Sequence, residues 1–361
     1  MNARVTFASA RPKELRAEAT LPAKLDRMLA QWDFPGKFAK KRVAVKMHLG
    51  GNMGFSTIHP LLVGRVIKAI RDAGGNPFVC DAPWAVASAH LRGYTAETLG
   101  CPILPVAGLT DKYVYSRPIG FRDMATAELA GEVMDADALL VLSHGKGHGC
   151  SGFGGAIKNI AMGCVDGPTR GRIHRLLSSS FQIDHGKCKQ CGLCKDNCPN
   201  DAISLKDGKI EIFDHHCKYC LHCELACPTG AIAIDQSGFR WFQTGMALTT
   251  KAVIDNFPGR MMYITVLTHI TPFCDCWGFT TPAIVPDIGI VASDDIVAIE
   301  QACIDLIKAE DFIEGSLPAP LKRSGGGHLL EQIHSKDPYM QVEECDKLSM
   351  GSRKYELAEI E

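Results

Sequence analysis

The chain has 361 residues, 46% of them hydrophobic and 22% charged, with 39 Lys and Arg against 40 Asp and Glu. That length is enough for at least one large core and for two or three domains. The near-zero net charge argues against a nucleic-acid binder that relies on bulk positive charge. Apolar runs such as Ala138 to Leu142 and Met261 to Leu267 are strand-length, far below the roughly 20 residues that a bilayer needs. Residues 1–21 carry four Arg or Lys and two Glu without an apolar stretch, unlike a signal peptide. The expectation is a cytoplasmic protein without a membrane span, whose 16 cysteines serve as metal ligands rather than disulfides.

The first half alternates strand-like and helix-like runs. Arg42 to His48 reads as a strand. A helix is expected over His59 to Ala73, with Pro60 in its first turn and Gly74-Gly75 at its end. Asn76 to Cys80 reads as the next strand, Met124 to Met134 as a helix, and Ala138 to Ser143 as a strand that runs into a glycine-rich loop. After a cysteine-dense stretch, a helix (Phe239 to Asn256) and two strands (Met261 to Thr268, Ile288 to Ala292) follow. Ser293 reads as the N-cap of a helix that buries Ile296, Ile299, Cys303 and Ile307. Such alternation predicts an α/β fold, a mostly parallel sheet with flanking helices. The domain reading is residues 1–180 as the first part of this domain, 181–236 as an insert, and 237–361 as the second part with a C-terminal helix.

The insert carries two runs, Cys188, Cys191, Cys194, Cys198-Pro199 and Cys217, Cys220, Cys223, Cys227-Pro228, each of the form C-x2-C-x2-C-x3-C-P. The second repeats the first at an offset of 29 residues, as does Ala202-Ile203 in Ala231-Ile232. Asp207-Gly208 between them is a hairpin signal. Three thiolates at such tight spacing let one loop wrap three corners of a cubane, whereas zinc favours separated cysteine pairs. The unit closely resembles the bacterial two-cluster ferredoxins, an α+β fold in which the fourth cysteine of each run crosses to the other cluster. That resemblance implies two [4Fe–4S] clusters, one held by Cys188, Cys191, Cys194 and Cys227 and the other by Cys217, Cys220, Cys223 and Cys198. It also implies a redox partner protein or low-potential electron donor.

Six of the eleven residues from Gly145 to Gly155 are glycine, interleaved with Lys146 and His148. A loop of this kind serves either close helix–sheet packing or the approach of backbone amides to an anion. The interleaved lysines and histidines favour a ligand pocket. Lys158, Arg170, Arg172 and His174 add positive or protonatable groups. Gly147 to Gly152 matches G-x-G-x-x-G only formally, since no second strand with a ribose-binding acid follows. Gly155 and Ala156 exclude a phosphate-binding Walker loop.

The string His144, Lys146-Gly147-His148, Gly152 to Lys158-Asn159, Met162-Gly163-Cys164, with Lys46-x-His48-x-Gly50 and Cys274-Asp275-Cys276, resembles a family of uncharacterised iron–sulfur centre proteins. That family is defined by a domain of unknown function, number 362, with an inserted ferredoxin unit. The likeness departs at Asp295 to Glu300 (DIVAIE), where the family reads D-P-V-A-I-D. It implies an architecture rather than an activity.

Among the remaining cysteines, Cys80 and Cys303 read as buried thiols, and Cys101 and Cys345 show no pattern. Cys274 and Cys276 form a C-x-C pair after a strand, able to clip a soft metal, to form a redox-active disulfide, or simply to pack. A third metal site would combine them with Cys150 and Cys164, or with His48 or His148. Lys46 and His48 end a strand, where α/β ligand sites commonly lie. Asp81 and Asp287 read as turn residues or as bases. The functional expectation is an iron–sulfur redox enzyme. Its two clusters would feed a pocket in which Lys146, His148, Lys158, Asn159, Lys46 and His48 meet a small anionic ligand. The alternative is a non-catalytic electron carrier or a metallocofactor-assembly partner.

Overall fold

The computed structural model describes residues 2–51, 53–214, 216–217, 219, 221–318 and 321–361. Eight strands form its main sheet: β1 (Ala3–Ser9), β2 (Arg42–Lys46), β3 (Asn76–Asp81), β4 (Ile103–Pro105), β5 (Ala138–His144), β6 (Met261–Leu267), β7 (Gly289–Ser293) and β8 (Tyr355–Glu359). Their order is β8-β1-β7-β6-β5-β2-β3-β4. Five of the seven neighbouring pairs are parallel, and β7 runs antiparallel to both β1 and β6. The sheet is therefore mixed, with an uninterrupted parallel block from β6 to β4.

Alternate residues of the central strands enter different apolar layers, as the two-residue period of a strand requires. Ala44, Cys80, Leu139, Val141 and Tyr263 face one layer. Val43, Val45, Leu140, Leu142 and Ile264 face the other. Helix α1 (Pro60–Asp72) seals the second layer with Leu62, Val63, Val66, Ile67 and Ile70. Its first turn starts at Pro60, and the His59 ring accepts from Leu61 N at 3.1 Å. Helices α2 (Ala156–Gly163) and α4 (Ile296–Leu306) cover the first layer. Helix α3 (Gly238–Ile254) lies outside α2. Each fully buried Val, Leu or Ile contributes about 1.5–3 kcal/mol, so the two layers dominate the stability of the sheet.

Residues 181–234 leave the sheet. Phe181–Ile183 pairs antiparallel with Ile232–Ile234, and Ile203–Lys206 with Lys209–Ile212. Asp207 and Gly208 both take positive φ, 48° and 75°, as a tight two-residue hairpin demands. Two four-residue helices, Leu193–Asp196 and His222–Leu225, complete the segment around Ile203, Ile210 and Ile232. It is not delineated as a separate domain. Phe181 and Tyr219 continue into an apolar cluster with Phe242 and Met246 of α3.

Three elements differ from the sequence reading. Met124–Ala130 is a strand paired with Val114–Phe121, and only Gly131–Met134 is helical. The helix preference of its Ala, Glu and Leu is a few tenths of a kcal/mol per residue, and the partner strand outweighs it. Ser293 closes β7, and Asp295 caps α4 instead. The chain ends in β8, parallel to β1, rather than in a helix; its last helix is Met340–Lys347. Among the described residues, no helix is long and apolar enough to cross a membrane.

The Asp295 carboxylate accepts from Val297 N, Ala298 N and Ser352 N, each at 2.9 Å. Asp295→Ala is expected to cost about 1–2 kcal/mol, measured as a lower urea midpoint at unchanged slope. An unmoved midpoint would show that the cap contributes nothing.

Candidate functional site

In an open parallel block, ligands gather beyond the carboxyl ends of the strands, where the strand order reverses. Here that point lies between β2 and β5, since the chain proceeds from β2 to β3 and β4 on one side and to β5 and β6 on the other. A cavity of about 400 Å³ opens there. Its walls include Lys46 and His48 after β2, Asp81 at the end of β3, Ser143 and His144 at the end of β5, and Cys274 to Cys276 beyond β6. Asn159 of α2 ties β2 to β5. Its amide donates to the carbonyls of Lys46 (3.3 Å) and Leu142 (3.1 Å), and its oxygen accepts from Lys46 Nζ at 2.9 Å. A Cβ at Gly163 would stand 2.3 Å from Lys46 Cε, so only glycine lets that chain pass α2.

Two buried aspartates organise the cavity. Asp81 accepts from Lys46 Nζ at 2.9 Å through one oxygen, and from His48 Nδ1 (2.8 Å) and Leu49 N (2.9 Å) through the other. Burial alone would raise its carboxyl, but Lys46 and His48 outweigh burial and hold it well below the usual carboxylate range. Asp275 repeats the arrangement with Lys146 Nζ at 2.6 Å and His144 Nδ1 at 2.9 Å. Burial opposes, and Lys146 and His144 depress its carboxyl in the same way. A carboxylate only accepts, so His48 carries its proton on Nδ1. Its Nε2 is buried and without a hydrogen-bond partner among the described residues.

The glycine-rich segment folds as a hairpin, Lys146–His148 against Gly152–Gly154, before α2 begins. The amide of Ala156 at the start of α2 donates to Glu300 Oε2 at 2.7 Å. The protein's own carboxyl thus fills the anion position at this helix end. Burial pushes Glu300 up to about 8. Lys158, two residues on, faces the cavity, and burial pushes its ammonium down to about 8. It points to Cys274 Sγ at 3.9 Å rather than to a carboxylate. Arg170 and His174 also line the wall, with Arg170 held by Asp111 at 3.0 Å.

Cys274 and Cys276 are joined by a disulfide. Their sulfurs and one ring nitrogen of His148 lie within 4.8 Å of one another, which makes these three a candidate metal-coordinating group once the thiols are reduced. His148 Nδ1 accepts from the amides of Cys150 (3.1 Å) and Ser151 (3.2 Å). The neutral ring therefore carries its proton on Nε2, and a metal would have to displace that proton.

The cysteine runs surround two smaller cavities. Cys188, Cys191, Cys194 and Cys227 line one. Cys198, Cys217 and Cys223 line another. Cys220 lies outside the described residues, as does His215. The backbone repeats at the 29-residue offset. Gln190 and Tyr219 both take φ of 55°, and Gly192 and Leu221 take 80° and 64°. Amides donate to sulfur at matching places: Gln190 N to Cys188 and Tyr219 N to Cys217 at 3.4 Å, Ala202 N to Cys198 and Ala231 N to Cys227 at 3.2 Å.

The model of a family described as Domain of unknown function (DUF362) matches residues 43–305. The chain belongs to this family. No curated protein matches. Among solved structures, the lactate racemase apoprotein from Thermoanaerobacterium thermosaccharolyticum is similar at 10% identity with a TM-score of 0.35. The match covers 74% of this chain and 51% of that one, so this DUF362 chain spans about half the length of that structure.

Of the residues singled out in the DUF362 sequence, the cavity brings together Lys46, His48, His148, Lys158, Asn159, Cys274 and Cys276. Lys146 does not face it; the side chain is buried against Asp275. Cys150 and Cys164 do not join the C-x-C pair. They sit in two separate apolar clusters, where burial pushes each thiol up to about 12. Asp287 is a turn residue that accepts from His269 N at 2.6 Å. Trp84, which stacks edge-on to His48 at 5.6 Å, and the partnership of Asp275 with His144 and Lys146 were not expected. Only the strand end before Pro83-Trp84 hinted at the first.

Lys46→Met strands a buried carboxylate and is expected to cost about 3–5 kcal/mol in urea unfolding; a loss near zero would show that the ion pair carries no such weight. Glu300 supplies a pH test. The folded chain keeps this proton up to about pH 8, whereas an unfolded carboxyl releases it near 4.5. Its contribution is therefore full below pH 4.5 and declines as pH rises toward 8. Glu300→Gln should flatten stability against pH across that window, and an unchanged slope would contradict the assignment.

Proposed function

We propose that the chain is an iron–sulfur redox enzyme whose residues 181–236 hold two [4Fe–4S] clusters and serve the cavity between β2 and β5. The supporting observation is the pair of cysteine-lined cavities, each of which joins sulfurs of one run to the last cysteine of the other, three with one in the first and, among the described residues, two with one in the second. The residues fit such a group. The first cavity collects Cys227 with Cys188, Cys191 and Cys194, and the second collects Cys198 with Cys217 and Cys223. The four amide-to-sulfur hydrogen bonds suit anionic thiolates and adjust their electron density. When bound, such clusters would supply single electrons.

The remaining residues do the rest of the work. Lys158 gives the cavity a positive charge that faces no carboxylate, since Lys46, Lys146 and Arg170 are spent on Asp81, Asp275 and Asp111. A small anionic substrate suits that balance. His48 Nε2 is placed to accept a proton, with Asp81 fixing the ring. A solvent-reachable cavity beside the C-x-C turn favours an enzyme over a carrier that only relays charge.

Oxygen-free purification is expected to yield about eight irons and eight acid-labile sulfides per chain. Cys198→Ser and Cys227→Ser should each lose about half of both, because each disturbs one four-sulfur set. Zinc in place of iron, with no labile sulfide, would overturn the proposal.

A further inference from the structure

Among the described cysteines, Cys274–Cys276 is the one disulfide. Structure gives this one little to do. A bridge across a single intervening residue removes almost no loop entropy from the unfolded chain. The turn is also already held, since Asp275 between the two cysteines is gripped by Lys146 and His144.

Its position is also informative. Cys276 is exposed, and both cysteines line the main cavity. The next residue, Trp277, packs on Phe273 with ring centroids 4.3 Å apart, on Phe213 at 5.5 Å, and parallel to His216 at 6.3 Å with an interplanar angle of 13°. His216 directly precedes Cys217, which lines the second cysteine cavity and whose carbonyl accepts from Lys336 Nζ at 2.6 Å. An aromatic bridge thus joins the cysteine-rich segment to the disulfide turn.

We propose that Cys274–Cys276 is a reversible disulfide–dithiol couple, the two-electron acceptor for electrons that enter through the cysteine-rich segment and cross at His216 and Trp277. The point of entry rests on the iron–sulfur reading above. In the step, two electrons arrive singly and break the S–S bond. Two protons from solvent in the cavity complete the two thiols. An external one-electron reductant, of the class that reduces iron–sulfur proteins, is oxidised twice. Lys158, 3.9 Å from Cys274 Sγ, stabilises the thiolate that forms first. The dithiol so formed faces the cavity, ready to reduce a bound substrate.

The test uses the holoprotein under anaerobic conditions. It is reduced with photoreduced deazaflavin and quenched with iodoacetamide, and the peptide containing residues 274 and 276 is weighed by mass spectrometry. Iron and labile sulfide are assayed on the same sample. The expected result is two alkyl groups on that peptide after reduction and none before. Trp277→Leu, at full iron content, should slow their appearance by an order of magnitude or more, and Cys217→Ser should abolish it. Full iron and bleached visible absorption with an unalkylated pair would overturn the couple and leave the iron–sulfur reading standing. Absence of iron would instead overturn that reading, and the entry route with it. Equal rates of alkylation in wild type and Trp277→Leu would overturn the crossing point.

Discussion

Two carboxylates buried under one cavity constrain everything that faces it. A buried carboxylate without a cation is strongly destabilising, so Asp81 and Asp275 each require a lysine and a histidine close by. That demand fixes the rotamers of Lys46 and Lys146, removes their charge from the cavity, and orients His48 and His144. Asn159 and Gly163 follow from it, one as the clamp that accepts from Lys46, the other as the gap through which Lys46 passes. What remains to meet a ligand is a short set: Lys158, His48 Nε2 and the C-x-C sulfurs. Asp275 lies between the two cysteines, so the same ion pair that neutralises it also fixes the disulfide turn.

The cysteine-rich segment is tied to this arrangement rather than tethered beside it. Tyr219 and Phe181 pack with α3, and His216 and Phe213 pack against Trp277. Cys217 of the second run packs against the apolar cluster of α3, which no cysteine of the first run joins. On the iron–sulfur reading, charge would enter at the outer run and leave by the inner one, toward the cavity. A freely diffusing carrier has no need of such a one-sided seat.

Much of this was readable in the residues themselves, and the reasons are local. The unbroken apolar runs Val43 to Val45 and Ala138 to Leu142 mark strands because both faces of a central parallel strand are buried. The repeated cysteine runs carry their own register, so the 29-residue offset appears again in φ angles and amide-to-sulfur bonds. What was not readable depends on distance in the chain. Asp81 meets Lys46 only because β3 pairs with β2, and Asp275 meets Lys146 only because β6 pairs with β5. Met124–Ala130 looks helical by composition until its hairpin partner is known. Cys150 and Cys164 sit among glycines that suggest a pocket, yet the hairpin and α2 turn both thiols into the core. Glu300 fills the anion position beside them, which no motif announces.

The central claim is that this polypeptide conducts electrons through paired cubanes to a cavity in its α/β core. Electron paramagnetic resonance of the oxygen-free, reduced holoprotein tests it most directly. The account predicts the broadened spectrum of two magnetically interacting [4Fe–4S] clusters, about two spins per chain. A spectrum without any cluster signal, from a chain whose cysteine cavities hold zinc, would contradict it.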